Sequence, residues 1–150
     1  MENKPLRVLL ADDDEADRLL FSDAFSELAI NTIVQTVNNG NELMEWLNKE
    51  ANTLPDLLFI DLNMPQKNGL ECLKEIRSNE KLKSILIAIY STSDNEKDMN
   101  ETFLHGANIY IAKPNDFDTL KKLLDKAVET ALLYQDDSLK RDNFFLKLEQ

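Results

Sequence analysis

Residues 6–28 read Leu6-Arg7-Val8-Leu9-Leu10-Ala11-Asp12-Asp13-Asp14-Glu15-Ala16-Asp17-Arg18-Leu19-Leu20-Phe21-Ser22-Asp23-Ala24-Phe25-Ser26-Glu27-Leu28. The first six are a short, nearly continuous apolar run, the pattern of a strand covered on both faces. After four acidic residues, Ala16, Leu19, Leu20, Ala24, Phe25 and Leu28 fall at helical spacing. This pairing of apolar run and amphipathic segment recurs along the chain. Thr32–Val37 is rich in β-branched residues and reads as a second strand. The next helix carries Leu43, Trp46 and Leu47. Leu57-Leu58-Phe59-Ile60 is a third run, stopped by Asp61, and Gly69 opens a helix bearing Leu70, Leu73 and Ile76. Ile85–Tyr90 is a fourth strand ending in Ser91-Thr92-Ser93, followed by a helix with Met99 and Phe103 that Gly106 closes. Ile109–Ala112 is a fifth, halted by Lys113-Pro114. A long last helix sets Phe117, Leu120, Leu124, Ala127, Val128 and Ala131 on one face.

Strands alternating with helices require helical crossovers between parallel strands, and uniformly apolar strands require helices on both faces. The expectation is a five-stranded, doubly wound parallel α/β sandwich. Such folds bind ligands outside the carboxyl ends of their strands. At those ends stand Asp12, Asp13 and Asp14 after the first strand, Asp61 after the third, Ser91 at the fourth and Lys113 at the fifth. A single Asp there is ordinarily a turn former or helix cap; four polar strand ends on one edge are a constellation. Asp12, Asp13 and Asp61 would crowd three negative charges together, which is costly without compensation. Lys113 supplies one positive charge and a divalent cation would supply two. Mg²⁺ suits oxygen ligands from one or two carboxylates plus phosphate. Such a pocket either accepts a phosphoryl group or binds a phosphorylated ligand. In the first case Asp61 is the nucleophile, Asp12 and Asp13 hold the metal, Lys113 neutralises phosphoryl oxygens and Ser91 donates a hydroxyl.

The segments Leu9-Leu10-Ala11-Asp12-Asp13-Asp14, Ile60-Asp61-Leu62-Asn63-Met64-Pro65 with Gly69, and Ala112-Lys113-Pro114 resemble, in order and spacing, the receiver domains of two-component response regulators. The resemblance spans about residues 5–132. It implies a flavodoxin-like sheet of order 2-1-3-4-5 and a phospho-acceptor at Asp61. The metal site would comprise Asp12, Asp13, Asp61 and the backbone carbonyl of Asn63. Ser91 would be the switch hydroxyl, Tyr110 a switch aromatic turning between solvent and sheet, and Pro114 a cis proline. The implied partner is a histidine kinase or phosphotransfer protein. Ser91-Thr92-Ser93-Asp94 and the long last helix resemble the stand-alone, chemotaxis-regulator-like receivers that serve phytochrome-like or hybrid kinases. A Mg²⁺-dependent phosphohydrolase would also form an aspartyl phosphate. Such enzymes usually carry the nucleophile on the first strand with an Asp two residues on; here Asn63 follows Asp61 and no cap domain fits.

Composition narrows the alternatives. The 150 residues carry 17 basic and 28 acidic side chains, a net charge of −11, which argues against a phosphate backbone as partner. A hydrophobic content of 43% suffices for a core. Cys72 is the one cysteine, too few for a disulfide or a structural zinc site, and reads as a packed thiol. His105 before Gly106 reads as a helix-end cap, and Asp14 as a helix-start residue. Gly40, Gly69 and Gly106 form no phosphate loop. No run approaches ~20 apolar residues and Met1 to Pro5 begin no signal peptide, so a cytoplasmic location with no membrane contact is expected. Residues 1–135 form the receiver unit, with no separate effector domain. Residues 136–150 form a helical or partly disordered extension whose Phe144-Phe145-Leu146-Lys147-Leu148 invites self-association with the last helix.

Overall fold

Each apolar run becomes a strand and each amphipathic segment a helix in the computed structural model, which describes residues 4–133 and the backbone of residues 145–146. The order is β1 (Leu6–Ala11), α1 (Glu15–Ser26), β2 (Thr32–Val37), α2 (Gly40–Asn48), β3 (Leu57–Ile60), α3 (Gly69–Arg77), β4 (Leu86–Ser91), α4 (Glu96–Leu104), β5 (Ile109–Ala112), α5 (Phe117–Leu133) and β6 (Phe145–Leu146). The first five strands are parallel and lie in the order 2-1-3-4-5, as expected.

Alternation along each strand sorts its side chains into two cores. Leu9, Ala11, Leu58, Ile60, Ile87, Ile89 and Tyr110 pack with residues of α2 and α3 on one face. Val8, Leu10, Leu57, Phe59, Ala88, Tyr90, Ile109 and Ile111 pack with α1 and α5 on the other. Strands buried on both sides have no room for polar groups within their length, so these emerge at the ends. Asx residues then start the helices. Asp14, Asn39, Asn68 and Asn95 each accept a backbone N–H from the first turn of α1, α2, α3 and α4, and Asn68 with Glu71 forms a capping box.

Two expectations need correction. Within the extension, Phe145–Leu146 form β6, parallel to β5 with Tyr110 opposite Phe145 and Ile111 opposite Leu146. The strand order is therefore β2-β1-β3-β4-β5-β6. An uncovered β5 would present a row of unpaired backbone groups, and this segment satisfies part of that row. The rest of the expected extension lies outside the described residues. The bond before Pro114 is trans, since no cis peptide occurs among the described residues. The trans form is the lower one for an X–Pro bond by about 0.5–1 kcal/mol. In this geometry the Lys113 N–H donates to the Ser91 carbonyl at 2.7 Å.

Gly69 fixes how closely the β3–α3 loop approaches the strand end. Its N–H donates to the Leu62 carbonyl at 3.0 Å. A Cβ there would fall 2.4 Å from the Asp61 carbonyl oxygen and 2.9 Å from the Leu62 Cα, both backbone atoms with little freedom to yield. Gly69→Ala is expected to destabilise the fold by about 2 kcal/mol or more, read as a lowered urea midpoint with unchanged slope. A midpoint equal to that of the wild type would refute this account of the loop.

Candidate functional site

Strands β1 and β3 are neighbours with Ala11 opposite Ile60, so the residues that follow them, Asp12 and Asp61, emerge side by side. The Asp61 N–H donates to the Ala11 carbonyl at 3.0 Å, extending the ladder one residue into the site. Asp12 is fully buried and Asp61 is 5% exposed, while Asp13 is exposed. One carboxylate oxygen from each of the three lies within 4.8 Å of the others. From the end of β5, the Lys113 ammonium reaches the same place, 2.9 Å from Asp12 Oδ2 and 3.3 Å from Asp61 Oδ2. The expected acidic group and its lysine therefore meet.

The balance of charge decides the chemistry. Burial raises the Asp61 pKa to about 6, the charge of Lys113 pulls it down, the charge of Asp12 pushes it up, and the Asn63 N–H, donating to Asp61 Oδ1 at 3.2 Å, lowers it again. Burial works against the Lys113 ammonium, yet hydrogen bonding and the surrounding carboxylates outweigh it and raise its pKa. Asp12 Oδ1 accepts the Asp14 N–H at 2.9 Å. Asp12 Oδ2 is buried and faces the Lys113 ammonium at 2.9 Å, its one partner among the described residues. A buried anionic oxygen in that state retains capacity for a cation.

Ser91 and Tyr110 stand one layer away. Ser91 is fully buried at the end of β4, and its Oγ accepts the Ser93 N–H at 3.1 Å. Tyr110 is buried rather than solvent-facing, and its hydroxyl donates to the Ser93 carbonyl at 2.7 Å. Asn63 is exposed in the β3–α3 loop. In that loop Gln66 takes a φ of 69°, the left-handed region that side chains rarely occupy, and its Oε1 accepts from Asn41 Nδ2 at 3.0 Å. Cys72 is a packed thiol, fully buried with Sγ 3.7 Å from the Gly40 carbonyl. His105 caps α4, its Nδ1 2.9 Å from the Glu101 carbonyl.

Two site residues were not singled out from sequence. Asp17, in the first turn of α1, makes the shortest contact to Lys113, 2.8 Å between Oδ2 and Nζ. It lies on a helix and not at a strand end, so the strand-end pattern does not mark it. Tyr90, immediately before Ser91, places its ring 5.1 Å beneath the Lys113 ammonium, a cation–π contact. It read from sequence as one more strand residue, and only the crossing of β4 with the lysine reveals the contact.

The family described as the response regulator receiver domain matches residues 8–125. The response regulator Rcp1 of Synechocystis is 31% identical over 126 residues, covering 81% of this chain and 86% of that protein. The chemotaxis protein CheY1 of Helicobacter pylori is 30% identical over 125 residues, covering 83% and 98%. The crystal structure of the phosphorylated cyanobacterial phytochrome response regulator RcpA superposes with a TM-score of 0.78 at 34% identity, covering 86% of this chain and 95% of that one. The Mn²⁺-bound form of Rcp1 gives a TM-score of 0.73 at 28% identity, covering 87% and 93%.

The raised Asp61 pKa makes a prediction for the metal-free protein. An unfolded Asp61 titrates near 3.8 and the folded one at about 6, so between these values the folded state binds the extra proton. Wild-type stability should therefore fall, through this group, as pH rises from about 4 to above 6. Asp61→Asn carries no such charge. It should be more stable than wild type by about 1–2 kcal/mol at pH 7.5, with the advantage vanishing below pH 4, measured by thermal unfolding with a chelator present. An advantage independent of pH would contradict the assigned cause.

Proposed function

We propose, from the premise that this chain belongs to the response regulator receiver family, that it is a receiver which takes a phosphoryl group on Asp61 and thereby changes its protein contacts. The observation that carries the reading is the Asp61 carboxylate itself. It sits at the end of a central strand, 3.3 Å from Lys113 and within the three-acid cluster. The donor is a histidine kinase or a phosphotransfer protein, since members of the family partner with histidine kinases. The likeness to a phytochrome response regulator supports a phytochrome-like or hybrid kinase.

The donor set fits a divalent cation. Three carboxylates converge and one buried Asp12 oxygen has only the Lys113 ammonium as a partner among the described residues, while a relative's structure is a Mn²⁺-bound form. Mg²⁺ would be held by Asp12, Asp13, Asp61 and the Asn63 backbone carbonyl, and when bound it supplies charge neutralisation to phosphoryl oxygens. The chain's own residues do the rest. Asp61 attacks phosphorus in line, forming the P–O bond as the bond to the donor nitrogen breaks. Lys113, its ammonium firmly protonated, takes a phosphoryl oxygen. Ser91 gives its hydroxyl to another oxygen once the loop after β4 moves inward, and Tyr110 holds the Ser93 carbonyl in that position.

The chain acts as a phospho-acceptor, with self-catalysed transfer and autodephosphorylation, rather than as an enzyme on outside substrates. A net charge of −11 supports protein rather than nucleic-acid partners. No helix among the described residues is long and apolar enough to cross a membrane. A cytoplasmic location fits a kinase partner of this kind, and the last helix with residues 136–150 is the surface for a homodimer.

A small phosphodonor with Mg²⁺ should add a single phosphoryl group to the wild type and none to Asp61→Asn, read by intact mass. Equal labelling of both would overturn the assignment. Ser91→Ala should still be labelled at Asp61 but lose most of the change in amide exchange across α4, β5 and α5 that a stable phosphoryl mimic induces in wild type. A full response in Ser91→Ala would exclude its hydroxyl from the switch.

A further inference from the structure

Among the described residues Lys113 has three carboxylate partners, and only one of them stands outside the three-acid cluster. Asp12 and Asp61, at 2.9 and 3.3 Å, are the residues whose oxygens a divalent cation would take. Asp17, at 2.8 Å, belongs to α1 and is not in that cluster. It is the closest of the three and the most exposed, 28% against 0% and 7% for the side chains of Asp12 and Asp61. A cation entering the cluster repels the ammonium from both strand-end carboxylates at once. The lysine then needs an anion that the cation does not claim, and space on that side. Both are present. A cavity of about 180 Å³ opens beside Lys113, lined by Asp17, Leu20, Tyr90, Pro114 and Phe117, and the Tyr90 ring lies under the ammonium.

We propose that Asp17 is a positioning residue that retains the Lys113 ammonium on the α1 side, so that the three-acid pocket can take up a divalent cation while the lysine stays charged and within reach of Asp61. The inference rests on the reading of that pocket as a cation site. Asp17 touches neither the cation nor the phosphoryl group in this scheme; it acts through Lys113. Without it, the ammonium has only Asp12 and Asp61 and competes for them directly.

Titration calorimetry with Mg²⁺ alone, on the full chain, tests this. Asp17→Asn should weaken Mg²⁺ binding by about five- to tenfold, and Asp17→Glu should restore it to within about twofold of wild type. Lys113→Ala, which removes the competitor, should bind Mg²⁺ at least as tightly as wild type. In that background Asp17→Asn should change the affinity by less than about twofold. Circular dichroism establishes that each variant is folded before titration. Equal losses from Asp17→Asn with and without Lys113 would overturn the proposal, because Asp17 would then act as a direct ligand or a general negative charge. Unchanged affinity in Asp17→Asn, or a Glu variant no better than Asn, would overturn it as well. A wild type that takes up no Mg²⁺ would overturn the cation reading itself, and this proposal with it.

Discussion

A single ammonium stands among Asp12, Asp17 and Asp61, and the rest of the site depends on that ratio. Asp12 is fully buried, and an isolated carboxylate there would be neutralised or expelled. Lys113 keeps it in place, and Tyr90 beneath the ammonium limits where the lysine head can go. The compensation is incomplete by construction. One positive charge cannot pair fully with three negative ones, and the charge of Asp12 adds to the burial that is the chief cause of the raised Asp61 pKa. A pocket that is negative in excess has capacity for a cation. In the proposed function, receptivity to a cation would follow from the excess of negative charge, whereas the raised pKa of Asp61 follows first from its burial.

The fold delivers this arrangement because both faces of the sheet are closed. With α2 and α3 on one side and α1 and α5 on the other, the buried central strands are apolar along their length and charged groups emerge where those strands end. That is why the site was legible from sequence. Asp12, Asp61, Ser91 and Lys113 each follow or end an apolar run, and the order of the runs fixes which ends are neighbours. The strands and helices themselves were legible for the same reason, within a residue or two at their ends, as β4 illustrates by running from Leu86 to Ser91. Other features were not legible, each for its own reason. Asp17 belongs to a helix face and not a strand end, so a search along the sheet edge passes it by. The inward position of Tyr110 depends on the Ser93 carbonyl, a backbone atom that no residue type announces. The trans bond before Pro114 corrects an expectation that came from family resemblance rather than from residue chemistry. β6 depends on a long-range pairing with β5, and two residues carry too little pattern to declare it.

The helices differ in how firmly they are held, and the difference falls along the proposed path of the switch. α5 buries seven residues from Leu120 to Ala131, whereas Thr102 is the one fully buried side chain of α4. Met99 and Phe103 are only partly buried against the core. What fixes the start of α4 is a small polar network. Ser93 Oγ donates to Asp98 Oδ2 at 2.7 Å, Asn95 Nδ2 reaches both Ser93 Oγ and Asp98 Oδ2, and Asn95 Oδ1 caps the Asp98 N–H. Each such bond contributes about 1 kcal/mol net, less than burial of one Leu. An element attached mainly by partly exposed hydrogen bonds is drawn from the low-stability end of a fold, where conformational change costs least.

Ser93 is where these threads join. Its N–H donates to Ser91 Oγ, its carbonyl accepts the Tyr110 hydroxyl, and its own hydroxyl holds Asp98 in the first turn of α4. If the Ser91 hydroxyl turns toward a phosphoryl oxygen, the Ser93 N–H loses or shifts its acceptor, and the residue cannot move without altering its bonds to Tyr110 and Asp98. Tyr110 in turn belongs to β5, opposite Phe145 of β6, so the strand that carries it also carries the last pairing of the sheet. In the proposed switch, a charge placed on Asp61 at one strand end would reach α4 and β5 through the hydrogen bonds of Ser93. The requirement is only that the phosphoryl group interact differently with the two positions of the Ser91 loop. The buried Ser91 hydroxyl meets that requirement, because it accepts the Ser93 N–H at 3.1 Å and its own O–H can be donated to a phosphoryl oxygen only where the loop brings it within reach.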